Sequence, residues 1–283
     1  MIPTHTRFTL FLVAVLALSL MSCTTPDAVS KFCGSAVTTL TSANPVFDDM
    51  RLSCLREVNS RSEFGTFKPP LQGDPNCTAI GNQAAGAAAA AKILSDYFSA
   101  INSLASFGTA KAGTDAQNLL SKTGAAVGAI SATQTALGSI VQFLVSAATS
   151  GYQQKQLEKD LTKVSGNISA VVNALITIVQ DDYIGRQLTS EEQKLADRYL
   201  EFAKDKSPEV KLLLDDRWNA DEQALAAKRA SAQSLITALL ALSKGFADLA
   251  ANAHQLKAKE VPGLLGPYVT QLQALIPQIQ KAF

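Results

Sequence analysis

Two sets of apolar residues that recur at alternating four- and three-residue steps restrict this chain more than anything else in it. The first is Leu157, Leu161, Val164, Ile168, Val171, Leu175 and Ile178; the second is Leu235, Leu239, Leu242, Phe246, Leu249, Ala253 and Leu256. That spacing keeps one face of an α-helix apolar along its whole length, the pattern of long helices packed side by side. No strand-like alternation of useful length competes with it, and aromatic residues make up only 6% of the chain, which favours helix over sheet. With a reversing region between the seams, the expected fold is all-α. It is an elongated antiparallel helical bundle of about four main helices with coiled-coil-like seams, preceded by a short disulfide-containing N-terminal segment.

Punctuation between the apolar runs sets the expected boundaries. Ala79–Ser106 is Ala-rich and carries an apolar stripe at Ile93, Leu94, Tyr97, Phe98, Ile101 and Leu104. Asp181-Asp182-Tyr183-Ile184-Gly185 reads as the end of the first seam helix. Thr189-Ser190-Glu191-Glu192 has the form of a capping box, with Thr189 as N-cap and Glu192 reaching back, opening a helix to about Asp205. Ser207-Pro208 starts the next helix, since serine caps and proline suits a first turn. Pro262 and Pro267 are expected to end it. An amphipathic tail follows, with Tyr268, Val269, Leu272, Leu275, Ile276, Ile279 and Phe283 on one side and a bend at Pro277.

The N-terminus carries an address. Arg7 precedes an apolar run, Phe8 to Leu20, with the layout of a secretory signal rather than a membrane span. It closes on Leu20-Met21-Ser22-Cys23, which resembles the lipobox of bacterial lipoproteins. That resemblance implies export, a diacylglycerol on the Cys23 sulfur, cleavage before Cys23 and acylation of the new amine. Thr24, rather than an aspartate, follows Cys23, which in lipoproteins of Gram-negative bacteria implies sorting to the outer membrane. Three acyl chains anchor stably where one would be marginal. The chain then divides into a cleaved leader (1–22), a lipid-anchored segment of short helices and loop (23–77), the bundle (78–260) and the tail (261–283), expected to dock on the bundle.

Removing the leader also removes Arg7, leaving 24 basic against 24 acidic side chains. Such a balance gives no bias toward nucleic acid. Export implies an oxidising compartment, so one disulfide is expected among Cys33, Cys54 and Cys77, with one thiol left over. Two pairings stand level. If 27–42 and 46–57 form a helical hairpin turning at Ala43-Asn44-Pro45, Cys33 faces Cys54; alternatively Cys54–Cys77 staples the Pro- and Gly-containing stretch between Asn59 and Asn76.

One segment is chemically unusual. Thr123 to Gln154 carries no charged side chain, contains Gly124-x-x-x-Gly128, a helix-approach motif of membrane spans, and continues into an apolar patch with Ile140, Val141, Phe143 and Leu144. A concealed membrane-insertion segment, as in helical pore-forming toxins, is one reading. A central bundle helix whose small-residue stripe lets a neighbour come close is the favoured one, because Gln134, Gln142 and many Ser and Thr make a poor span.

Signatures of catalysis are scarce. His254 is the single histidine after the leader, and it is expected at the surface near a helix end, so no Ser-His-Asp or Cys-His arrangement can form around a second one. Gly81 to Gly86 lacks the Lys-Ser/Thr of a phosphate loop. No metal ligand set and no cofactor motif stand out. The pairs Asp181/Asp182, Glu191/Glu192 and Asp215/Asp216 are expected on solvated faces or at helix N-termini. Trp218 is expected to pack where the last long helix meets the helix at 190–205. The resulting expectation is a non-enzymatic envelope lipoprotein, tethered to the membrane by its N-terminal lipid and binding an envelope protein partner. A membrane-active protein using 123–154 is the alternative.

Overall fold

The structure is a computed structural model that describes residues 25–60, 75–105, 133–147, 154–255 and 260–283. Every regular element among them is helical: α1 (Thr25–Ser42), α2 (Asn44–Ser60), α3 (Pro75–Ala105), α4 (Gln134–Ala147), α5 (Gln154–Thr177), a π-helical segment (Ile178–Leu188), α6 (Thr189–Ala203), α7 (Pro208–Ala251), a 3-10 turn (Ala253–Gln255) and α8 (Val261–Gln280).

Both heptad seams are core. Leu161, Val164, Ile168, Val171, Leu175 and Ile178 are buried, as are Leu235, Leu239, Leu242, Phe246, Leu249 and Ala253; the Leu157 side chain and Leu256 lie outside what the structure describes. The side chains that join the two runs show their direction. Thr162 bonds the Ala250 carbonyl, Ser243 bonds Ser169, Arg229 pairs with Glu192, and the Tyr199 hydroxyl bonds Asp221. As one number rises the other falls, so the runs are antiparallel.

The first run does not stop where the Asp181–Gly185 sequence suggests. It passes through the π-helical segment directly into α6. The Thr189 hydroxyl donates to the Ile184 carbonyl five residues back, in step with the i→i+5 spacing of a π turn. Gly185 fits this crowding, since a Cβ there would lie 3.2 Å from the Gln180 carbonyl oxygen. Thr189 therefore caps nothing: the residue before α6 is Leu188, in helical conformation and without a side-chain cap. A capping box needs a non-helical residue at its head, and here the helix is already running.

Around this pair the remaining helices close one core. α1 and α2 each pack on α3 rather than on one another, and α8 packs on α7 and α1. The hairpin that would set Cys33 opposite Cys54 is therefore not made. Cys54 on α2 instead bonds Cys77 on α3, and Cys33 is a free, buried thiol whose pKa burial pushes up. At the other end, α7 stops at Ala251, where the Asn252 side-chain amide donates to the Asp248 carbonyl. Pro262 sits in the first turn of α8 and Pro267 inside it, so neither ends the preceding helix as expected.

An aromatic knot ties four helices together. Phe98 meets Phe32, Tyr97 and Phe246 edge-on with ring centroids 6.0, 5.6 and 5.6 Å apart, and Tyr97 also meets Phe143 at 5.0 Å. Gly245 is what allows α1 and α8 to come this close to α7. A Cβ there would lie 2.6 Å from Phe32 Cε2 and 2.9 Å from Tyr268 Cγ. Phe32 is fully buried and has nowhere to retreat. We expect Gly245→Ala to destabilise the protein by about 1–3 kcal/mol in urea unfolding, as overpacking does; an unchanged midpoint would mean these helices have room to part.

Two ends of the molecule follow from this arrangement. Phe32 lies against Gly245, while Gln280 bonds Ser42 and the Gln278 carbonyl accepts from Ser231. α1 thus runs antiparallel to α7 and begins beside the C-terminal end of α7. At the opposite end, α6 and the start of α7 leave the body. From Glu192 to Ala224 no residue is buried, and Glu191 and Leu225 are the last buried residues on either side. Residues 192–224 form a two-helix finger, turning through Lys204-Asp205-Lys206, which projects about 25 Å at 1.5 Å per residue.

Candidate functional site

The finger joins the body at a buried ionic cluster. On α2, Asp49, Ser53 and Arg56 are spaced i, i+4, i+7 and so share a face. Arg56 forks both carboxylates: Nη1 and Nη2 donate to Asp49 at 2.9 and 2.8 Å, and Nε and Nη2 donate to Glu191 of α6. Ser53 donates to Glu191 at 2.6 Å, Tyr183 of the π-helical segment to Asp49 at 2.7 Å, and Lys228 of α7 to Asp49 at 3.1 Å. Four elements meet on two carboxylates and two cations. Beside the cluster, Arg229 of α7 pairs with Glu192 of α6 at 2.8 Å.

Electrostatically the cluster is balanced and saturated. Burial on its own would raise the Asp49 carboxyl. The bonds and charge of Arg56, with Tyr183 and Lys228, outweigh burial and hold it below the ordinary carboxylate range. Burial likewise opposes the Arg56 charge, and bonds to Glu191 and Asp49 overcome it, so the guanidinium stays protonated. Burial, then the neighbouring Asp49 charge, push the Tyr183 phenol up. Through these bonds the two carboxylates tie α2, α6, α7 and the π-helical segment together.

The sign of the pH dependence follows. A carboxyl with a depressed folded-state pKa contributes stability above its unfolded pKa of about 3.9, and that contribution fades as pH falls through the folded value. We therefore expect amide protection in the π-helical segment, whose Tyr183 bonds Asp49, to fall below about pH 4 while that of α3 persists. Simultaneous loss of both would show that Asp49 does not hold this segment in place.

Along the finger, two clefts flank the helix pair. The first, of about 290 Å³, is lined by Ala196, Tyr199, Leu200, Ala203, Leu214, Asp215 and Trp218. The second, of about 280 Å³, has a charged wall with Arg198, Arg217 and Asp221. Trp218 packs edge-on against Tyr199 at 5.5 Å, and the Tyr199 hydroxyl donates to Asp221, which also pairs with Arg217 at 3.2 Å. Outside these contacts the finger is apolar in the open. Leu200 is 74% exposed, Leu213 69% and Leu212 63%.

Of the sites expected from sequence, Cys23, Gly124 and Gly128 lie outside the described residues. Ile140, Val141, Phe143 and Leu144 are buried on α4 among core residues. Two helical runs, Glu158–Ala203 and Pro208–Ala251, are long and apolar enough to cross a bilayer by length and composition. Of their most apolar stretches, 39% and 50% respectively are buried within the fold. His254 is exposed in the 3-10 turn. Among the described residues, no group of three or more His, Cys, Asp or Glu side chains is placed to hold a metal ion. Glu191 is not on a solvated face, as its pairing with Glu192 suggested, but at the centre of the cluster.

Sequence reasoning missed both halves of this site, although each left a trace. The Asp49-Ser53-Arg56 stripe is one. The other is Leu212-Leu213-Leu214: consecutive residues on a helix point about 100° apart, so three leucines in a row cannot all face one neighbour. No protein-family model, curated protein or solved structure matches the chain.

Proposed function

We propose that this protein is a lipid-anchored, non-enzymatic interaction module of the bacterial cell envelope. Its body is an elongated antiparallel bundle whose main runs are α3, α5 continued through α6, α7 and the α1–α8 pair. The lipid is carried by Cys23, and Thr24 directs the chain to the outer membrane. The finger is the part that meets another envelope component.

The observation that carries this reading is the placement of the finger relative to the N-terminus. α1 begins beside the C-terminal end of α7, and Cys23 stands two residues before Thr25, within about 7 Å of it at full extension. The finger tip lies at the other end of α7, whose 44 residues span on the order of 66 Å. A lipid at Cys23 leaves the exposed leucines far from the bilayer that holds it. Monomeric proteins seldom leave large apolar side chains clustered in water unless a partner covers them.

Two measurements on the full chain produced in a Gram-negative host test the proposal. Mass spectrometry of the N-terminal peptide is expected to give a triacylated residue 23, and Cys23→Ala is expected to stop membrane retention. Full-length chain with an unmodified thiol at Cys23 would remove the anchor. Dye release from liposomes is expected to stay at background; release abolished by Val141→Lys would favour the membrane-active reading instead.

A further inference from the structure

We propose that the cleft between α6 and α7 of the finger binds an amphipathic α-helix with an apolar stripe and a basic flank, contributed by a partner protein. This rests on the reading of the finger as the interacting end.

Shape favours a helix. On one wall, Ala196, Leu200 and Ala203 are spaced i, i+4, i+7; on the other, Leu214 and Trp218 are spaced i, i+4. Both walls present helical ridges, and a third helix can lay its own ridge into the groove between them. The small residues Ala196 and Ala203 make room on either side of Leu200. Trp218, packed edge-on against Tyr199 in the same cleft, supplies an aromatic wall of the kind that dominates binding energy at interfaces.

Charge selects among occupants. Residues 192–224 carry nine acidic and six basic side chains, a net excess of three negative charges. Asp215 is the only charged residue lining the cleft, and among the described residues no cation pairs with it. Glu222, two turns further along the same face of α7, is exposed and likewise has no ion pair among the described residues; Lys211, one turn toward the tip, is the only base on that stripe. An anionic bilayer is repelled by such a finger. Two copies anchored in one membrane would bring like charges side by side. A helix with lysines or arginines beside its apolar stripe gains from both the leucine groove and the uncompensated acids.

The test uses the full-length chain in phosphatidylcholine nanodiscs, with empty nanodiscs as blank. Two fluorescent helical peptides of about 20 residues, long enough to hold helix, serve as probes. Both carry leucines at i, i+4, i+7 steps; one is flanked by lysines, its twin by glutamates. The lysine peptide is expected to bind saturably and the glutamate twin about tenfold more weakly or worse. Leu200→Glu is expected to abolish binding, and Asp215→Lys to reverse the preference between peptides. Because Leu200 is mostly in solvent, its variants should melt with the parent; Leu200→Ser repeats the test without adding charge.

Equal binding of the two peptides, or binding indifferent to Leu200→Glu, overturns the proposal. So does a concentration-dependent dimer lost in Leu200→Glu, which would make a second copy the occupant, and so does Leu200-dependent binding to phosphatidylglycerol vesicles without peptide. Failure with Cys23 acylated sinks the docking site alone. Specific peptide binding by a chain with an unmodified Cys23 sinks the anchor alone.

Discussion

Replacing Arg56 with alanine is expected to destabilise the protein by about 3 kcal/mol. Removing one partner of a buried ion pair typically costs about 3–5 kcal/mol, because the other charge stays behind without compensation. Here two carboxylates are stranded: Asp49 keeps Lys228 and Tyr183, and Glu191 keeps Ser53. The lower end of the range applies because the Arg56 side chain is 36% exposed, so water replaces part of what is lost. Arg56→Lys should recover only a fraction, since an ammonium cannot fork two carboxylates in one plane. Urea unfolding gives the magnitude, and hydrogen exchange gives the place: α6 and the first half of α7 should open first. A uniform rise in exchange would show that the cluster supports the whole body equally.

Phe98→Ala is expected to cost about 3–5 kcal/mol, with a different pattern. Phe98 is fully buried and touches rings from α1 and α7 as well as its neighbour Tyr97. Its removal leaves a cavity where three helices meet, and close-packed interiors relax only partly around such a void. The loss should appear as a drop in melting temperature of roughly 10 °C for a chain of this size, with α1, α3 and α7 opening together. A drop confined to α1 would mean the aromatic knot is peripheral to the core.

Legibility in the sequence divided along the same line as these two effects. Features made of contacts repeating within one element could be read directly. The seams at Leu161–Ile178 and Leu235–Ala253 and the α3 stripe from Ile93 to Ile101 are buried because a helical period leaves their residues no other face. Features made between distant elements could not. Glu191 and Arg56 stand 135 residues apart, and nothing local to Thr189-Ser190-Glu191-Glu192 separates a capping box from a stretch that is already helical. The π-helical segment was hidden for the same reason. Asp181, Asp182 and Gly185 are ordinary helix-ending residues, and the bond from Tyr183 to Asp49 on α2 has no trace in the local sequence. Cysteine pairing turned on which helices pack: α2 lies against α3, so Cys54 meets Cys77.

The exposed finger is the opposite case, an absence of packing that no sequence period announces. Leu225 and Leu235 look alike in sequence to Leu213, yet Leu213 has no neighbour to bury against. Body and finger differ only in what surrounds α7.

The most direct test of the account is the height of the finger above the membrane that holds the chain. With the lipidated full-length protein in vesicles, a donor dye at position 205 in the finger turn and, separately, at exposed position 31 in α1 would be read against acceptor lipids in the outer leaflet. Strong transfer from position 31 and little from position 205 is the predicted result, given about 60 Å of helix between the two ends. Strong transfer from position 205 would place the finger on the bilayer and contradict the claim that it is held out to meet a partner.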